Sequence, residues 1–340
     1  MESLKETQKR FDQLMQDLKS GDYYLCRKKG SLSNWTAYSQ ARVNELRFVI
    51  KLIKENVDSV NLPPKPMQAG QPAKEASDLA KAVLLQQYMQ VSERVAIGWI
   101  ELLSPVLGIT SNFEWRSLAR AYEREDVRFI LERVFEKSTE PVQGIATNFS
   151  GDSTGLEESR KDNYEVDAHG KNASSYAKLT SFIASDFHVV TSYALTRNSG
   201  DCAVFEDAFQ LTAEKQKPKI VCLDAGFVSR DICNAVASVG ALPFIYPKRG
   251  LTLKKKGSKA WKDMLVSLVH NPQEWLRVYH ERSNVECWHS MLKRRFSRPL
   301  QCKTLETQAS EVCARITIAN FTQLCTAFYE GRLPKAAFAS

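Results

Sequence analysis

Three acids and one polar stripe offer the chemistry in this chain. Asp152 stands in the turn Gly151-Asp152-Ser153-Thr154-Gly155, just past a strand expected over 142–149. Asp224 follows the apolar run Ile220-Val221-Cys222-Leu223 and opens the small-residue turn Ala225-Gly226-Phe227. Glu286 belongs to Tyr279–Arg295, YHERSNVECWHSMLKRR. Taken as one helix, at about 100° per residue, that stretch puts Tyr279, Arg282, Glu286 and Lys293 in a stripe roughly 60° wide. Val278, Val285, Trp288, Leu292 and Phe296 gather on another side, as a packed face would. The plain alternative is a surface helix with spaced ion pairs, and strand-end aspartates often only cap turns. Three carboxylates brought together repel unless a cation sits among them, and hard divalent cations with oxygen ligands suit that arrangement. Two such ions activate a water or a 3′-hydroxyl and stabilise the leaving oxygen at a phosphate.

The charge distribution points to the same segment. From Lys248 to Leu300 there are 13 Lys and Arg against 4 Asp and Glu, while the whole chain carries a net +8. The positive excess therefore lies around the Glu286 helix, with Lys248, Arg249, Lys254, Lys255, Lys293 and Arg294 as candidate contacts to a polyanion. A solvated basic loop is the bland reading of the same residues. The eight cysteines include no Cys-x-x-Cys pair and sit largely in apolar runs. They read as reduced core thiols, not a zinc site or disulfide framework. No apolar run is long enough for a membrane helix, and the first residues carry no apolar signal core, so a cytoplasmic location is expected.

The elements that must position these residues follow from periodicity. Residues 1–60 read as a helical region, with a weak stripe at Leu4, Phe11, Leu14 and Leu18 and a strong one at Leu46, Val49, Ile50, Ile53 and Val57. Between them Arg27, Lys28 and Lys29 lie in a loop that either touches DNA phosphates or is simply solvated. A proline-rich linker occupies 61–73. Residues 74–139 read as short helices starting near Lys74, Ser92 and Ser111, the last with Ser111 and Glu114 at capping-box spacing. Arg116, Arg120 and Arg124 recur there at one-turn intervals. A helix-turn-helix DNA-reading unit and a plain helical bundle both fit.

From 140 to 335 the period changes to β, β, β, α, β, α, β, then the Glu286 helix. The first strand is 142–149; those after it are 176–184, 188–195, 219–223 and 241–246. That order implies an α/β fold, a mixed sheet with helices on its faces. A long closing helix, 305–329, is expected to cover the sheet.

Asp152-Ser-Thr-Gly, Asp224-Ala-Gly-Phe, and the spacing of Tyr279, Arg282, Glu286 and Lys293 resemble the insertion-sequence transposases of the DDE superfamily. Asn198 with Asp201 also looks like that group's pattern. The resemblance covers roughly residues 80–330. It implies an RNase H-like catalytic core, and the helical pattern before it gives the expectation of an all-α N-terminal DNA-binding region; the first 70 residues carry no match to the family. It further implies Asp152, Asp224 and Glu286 as ligands of two Mg²⁺ ions, with Mn²⁺ as a substitute, and Arg282 and Lys293 on DNA backbone near the cut. Tyr279 either contacts a phosphate, orients Arg282 or is purely structural. Trp288 is expected in the core, and no zinc site is assigned around His289. The 61 residues between Asp224 and Glu286 imply a compact core without a large β-rich insertion.

The implied partners are double-stranded DNA, as terminal repeats and target, and a second copy when synapsed; the implied location is a prokaryotic nucleoid. The expected activity is cleavage at element ends and joining of the 3′-OH to target DNA. An RNase H-like nuclease without strand transfer and an inactive DNA-binding derivative are the competing readings; the intact acid triad weighs against the second.

Overall fold

The structure is a computed structural model, and it describes residues 3–20, 34–63, 74–158, 176–197, 199–334 and 338. Arg27, Lys28, Lys29, Asn198, most of the proline-rich linker and most of the polar loop after β1 lie outside the described residues. Two compact units are present. One gathers Met1–Leu32, Val142–Thr154 and Lys178–Ser290; the other gathers Ser33–Pro141, Gly155–Ala177 and Met291–Ser340. The 1–60 region is thereby divided, with α1 (Leu4–Ser20) in the first unit and α2 (Trp35–Asp58) in the second.

The first unit is built on one five-stranded mixed sheet: β1 (Asn148–Glu157), β2 (Tyr176–Ala184), β3 (Val189–Thr196), β4 (Ile220–Leu223) and β5 (Leu242–Ile245), in the order β3-β2-β1-β4-β5. β2 and β3 pair antiparallel, whereas β4 runs parallel to β1 and β5 parallel to β4. Helices α7 (Asp201–Lys215), α8 (Arg230–Ser238), α9 (Lys259–His270) and α10 (Pro272–Tyr279) accompany it. Phe182 of β2 packs with Phe205 and Phe209 of α7, and Phe205 reaches Phe227 after β4. Side chains of this size each contribute roughly 1.5–3 kcal/mol on full burial. Helix α1 adds Phe11, Leu14 and Met15 to that core, and its Gln8 side chain bonds the backbone of Leu251 and Leu253.

The second unit is helical: α2, α3 (Ala76–Met89), α4 (Glu93–Leu107), α5 (Trp115–Ala121), α6 (Glu125–Thr139) and α12 (Leu305–Tyr329). The 25-residue α12 is buried along most of its length through residues such as Val312, Ile316, Phe321 and Leu324. Within its unit it packs against α2, α3 and α6. Its apolar residues surround it on all sides, the mark of an internal helix.

Four local expectations change. The 142–149 segment is not one strand: 140–142 is a 3-10 turn, Gly144 sits at φ +76°, and β1 begins only at Asn148. Asp152 is therefore inside a strand instead of past its end. The stretch 279–295 is not one α-helix. α10 ends at Tyr279, a 3-10 turn spans His280–Arg282, and α11 covers Ser283–Arg295. The Ser283 hydroxyl donates to the His280 carbonyl at 2.8 Å, and such local side-chain bonds compete with the regular ladder.

The third helix of the expected reading unit starts at Trp115, not Ser111. The Asp78 carboxylate accepts the Thr110 and Ser111 N–H groups at 3.1 and 2.8 Å, which displaces the capping box. Finally, the Arg116, Arg120, Arg124 row is not continuous. α5 stops at Ala121, and Arg124 binds Asp126 at 3.0 and 2.6 Å and the Lys74 carbonyl at 2.8 Å.

Candidate active site

The two aspartates meet through strand register. In the parallel pair β1–β4, Gly151 stands opposite Leu223, and the next residue on each chain is an aspartate, Asp152 and Asp224. Neighbouring strands lie about 4.8 Å apart, so the sheet delivers both carboxyls to one edge of the β1–β4 seam. Gly151 is required there: a Cβ would come within 2.6 Å of the Phe182 ring and 2.7 Å of Leu223. Asp224 caps its own turn, accepting the Ala225 N–H at 2.6 Å.

Side chains alternate along β1, and each face has its own partners. Asn148 Nδ2 donates to Glu281 at 2.7 Å and the Ser150 hydroxyl donates to the Glu281 carbonyl at 3.2 Å, so the Asn148-Ser150-Asp152 face receives the 281–289 segment. Arg282 NH1 lies 3.5 Å from Asp152 Oδ2, while its NH2 is bonded to Glu286 Oε1. His289, buried at 6% exposure, meets Ser181 Oγ at 2.9 Å and turns Nδ1 toward Asp152 Oδ2 at 3.9 Å. The opposite face of β1 turns Ser153 toward Asp201 at 2.7 Å.

Charge at this point is concentrated. Burial first, and then the negative charges of Asp224 and Glu286, raise the Asp152 carboxyl from 3.8 to about 6, against the Ser153 backbone N–H and Arg282. Arg282 is raised in turn; burial works against it, but Tyr279, Glu286 and Asp152 outweigh that. Tyr279 is buried, stacked on Trp275 at 5.5 Å and beside Tyr246 at 5.2 Å, and burial lifts its phenol above the ordinary range.

The profile of the family described as Transposase DDE domain matches residues 146–321, a span that takes in both aspartates, Arg282 and Glu286. The chain belongs to the DDE transposases. It is also 23% identical over 273 residues to an Archaeoglobus fulgidus protein described as "Probable transposase for insertion sequence element ISA1214"; the match covers 79% of this chain and 81% of that one. DDE transposases act on DNA and generally depend on divalent metal ions.

The acid site of this transposase suits a hard cation by charge. Its Asp152 is held far above a free carboxyl by burial and by two other carboxylates, which marks a site short of positive charge. Arg282 is the cation that bonds two of the three acids. Among the described residues no three His, Cys, Asp or Glu side chains form a closed metal-binding group. The electrostatics and the spacing differ here: the donor set fits a divalent ion in kind, and the carboxylates are not gathered into a cage.

The other residues that the sequence offered as DNA contacts are dispersed. Lys248, Arg249, Lys254 and Lys255 are exposed between β5 and α9, and the Lys248 charge reaches Asp201. Lys293 and Arg294 are exposed in the last turn of α11. Arg295, next to them, is taken up inside the second unit by Glu45 at 3.2 Å and the Tyr88 ring at 5.3 Å. Arg116 is exposed, lies over Trp115 at 4.8 Å and reaches Glu114 at 3.5 Å; Arg120 is exposed on the same helix. Trp288 is 1% exposed and belongs to the core, as its apolar neighbours implied.

Sequence reading missed the supports Asn148, Ser150, Glu281 and His289. The signal was present in the polar alternation Asn148-Ser150-Asp152, but ending the strand at Phe149 hid it. Among the described residues no helix is long and apolar enough to cross a membrane.

Proposed function

We propose that this chain is the transposase of an insertion sequence. In this reading it binds the element's terminal repeats, cleaves DNA at the element ends, and joins the freed 3′-OH to target DNA. One observation carries the reading: register places Asp152 beside Asp224, and Arg282 ties Asp152 to Glu286. Those three acids would hold two Mg²⁺ ions, whose chemistry is to activate the attacking oxygen and neutralise the leaving one at a phosphate.

The chain's own groups do the rest. Arg282 reaches two of the acids and is placed to pass its guanidinium to a DNA phosphate; its planar fork suits that contact. Tyr279, held in a packed aromatic wall and electrostatically coupled to Arg282, helps fix the direction of that guanidinium. Lys293 and Arg294, with Lys248, Arg249, Lys254 and Lys255, hold the DNA backbone. Arg116 and Arg120 of the helical region read or track the element end. The strand order β3-β2-β1-β4-β5, three strands in sequence followed by two parallel ones, supports an RNase H-like core.

The test uses the purified chain, Mg²⁺, and the DNA flanking its reading frame. Cleavage at the element ends followed by joined products is expected. Cleavage without joining would reduce the protein to an RNase H-like nuclease, and repeat binding without cleavage to a DNA-binding derivative.

A further inference from the structure

The N-terminus of α7 holds a group that the acid triad does not use. Asp201 is the first residue of that helix, where an acid ordinarily serves the backbone N–H groups or the helix dipole. Here no side chain caps the helix, and the Asp201 carboxylate is bonded to side chains of β1 and β2. Its Oδ1 accepts the Ser153 hydroxyl at 2.7 Å and pairs with Lys178 Nζ at 2.7 Å. Lys178 also donates to the Ser199 carbonyl at 2.7 Å, and Ser153 meets Thr180 at 2.8 Å, so both partners are themselves anchored. The other oxygen, Oδ2, lies 2.5 Å from the place where a Cβ on Gly226 would stand. Next along the chain, the Cys202 thiol donates to the Gly226 carbonyl at 3.2 Å.

Ser153 follows Asp152 directly, and Gly226 lies two residues after Asp224. We infer that Asp201 is a positioning residue that clamps the Asp152 strand to the Asp224 turn and so sets how the two aspartates face each other. The clamp grips the Ser153 hydroxyl, on the face of β1 opposite the Asp152 side chain, leaving that side chain to the reacting groups. Gly226 is the complement of Asp201: any larger residue would push the carboxylate away from Ser153 or the turn away from β1.

The inference rests on the proposed role of Asp152 and Asp224 in holding metal, and its test separates the two. Mn²⁺ binding by the full chain is measured by water proton relaxation, alongside element-end DNA affinity, Mn²⁺-dependent cleavage and thermal melting. Asp201→Ala is expected to weaken Mn²⁺ binding about 10- to 100-fold, the usual effect of removing a support behind metal ligands, with DNA affinity unchanged. The Mn²⁺ needed for half-maximal cleavage should rise in parallel.

Gly226→Ala should cause a similar loss, yet add little in an Asp201→Ala background, where the nearest remaining Asp201 atom of the wild-type set, Cβ, is an ordinary 3.6 Å away. Such non-additivity is the signature of one shared contact. Ser153→Ala, a gentler change, should move Mn²⁺ affinity the same way by a few-fold, and it decides the matter if Asp201→Ala does not fold. Wild-type Mn²⁺ affinity in these variants, additive losses, or a loss visible only in melting would overturn the clamp. A wild-type chain that neither binds Mn²⁺ nor cuts DNA would overturn the functional reading and the clamp together.

Discussion

The Arg282 guanidinium stands 3.5 Å from the Asp152 carboxylate with another nitrogen on Glu286, which joins the middle of the sheet to the first turn of α11. Its side chain is 16% exposed, so this contact is largely shielded from solvent. Removing it leaves two carboxylates without their nearest cation. Arg282→Ala is expected to lower the cleavage rate about 100- to 1000-fold, as loss of one preorganised charge does. Arg282→Lys should recover little, since one ammonium cannot serve both acids as the fork does. Single-turnover cleavage measures this; a near-native Arg282→Lys rate would remove the bridging role.

Asp152→Asn, Asp224→Asn and Glu286→Gln should each abolish nicking and joining while leaving DNA affinity nearly intact. The amide keeps the shape and loses the charge that a divalent cation needs. Gel-shift and cleavage assays on the same preparations check it. Any of the three that cuts at a near-native rate in Mg²⁺ is not a metal ligand.

The raised Asp152 carboxyl has a signed consequence for stability without metal. An acid whose pKa rises on folding, here from 3.8 to about 6, binds its proton more readily in the folded chain. Stability therefore falls as pH climbs through that window, and above it the ionised group costs up to about 3 kcal/mol. In EDTA, Asp152→Asn should raise the melting temperature by a few degrees at about pH 7.5 and hardly change it at about pH 4. Equal shifts at both pH values would show that charge is not the cause.

Gly151→Ala should destabilise the first unit by about 1–3 kcal/mol or more, because the added methyl meets Phe182 and Leu223 at under 3 Å. Denaturant unfolding reads the cost. Substitution by alanine without loss would mean that β1 moves freely at this point.

For the basic residues, salt dependence is the discriminating measurement. Neutralising Lys248, Arg249, Lys254 and Lys255 together should weaken binding to any DNA and flatten the plot of log affinity against log salt. Changing Arg116 and Arg120 should instead reduce the preference for the element end over random DNA. If that preference survives, the reading surface lies outside α5.

Strand and helix periods placed most elements directly. The 305–329 helix and β2 were legible to the residue, and β4 nearly so, because an apolar period survives whatever the segment packs against. The acids were legible for a local reason too: Asp224 ends an apolar run, and Glu286 shares a helical stripe with Arg282. Other features depended on distant partners. Asp78 holds the backbone of Thr110 and Ser111 from 32 and 33 residues away, which only packing can arrange, and so α5 starts late. Asp152 meets Asp224 because β4 pairs with β1 as far as Gly151 and Leu223, a long-range register that no local pattern contains. The partners of Asp201 come from β1, β2 and the turn after β4, and no spacing along the chain announces them. Local sequence chose which residues carry charge and which bury; tertiary pairing decided which charges face one another, since electrostatic contacts are set by distance in space and not along the chain.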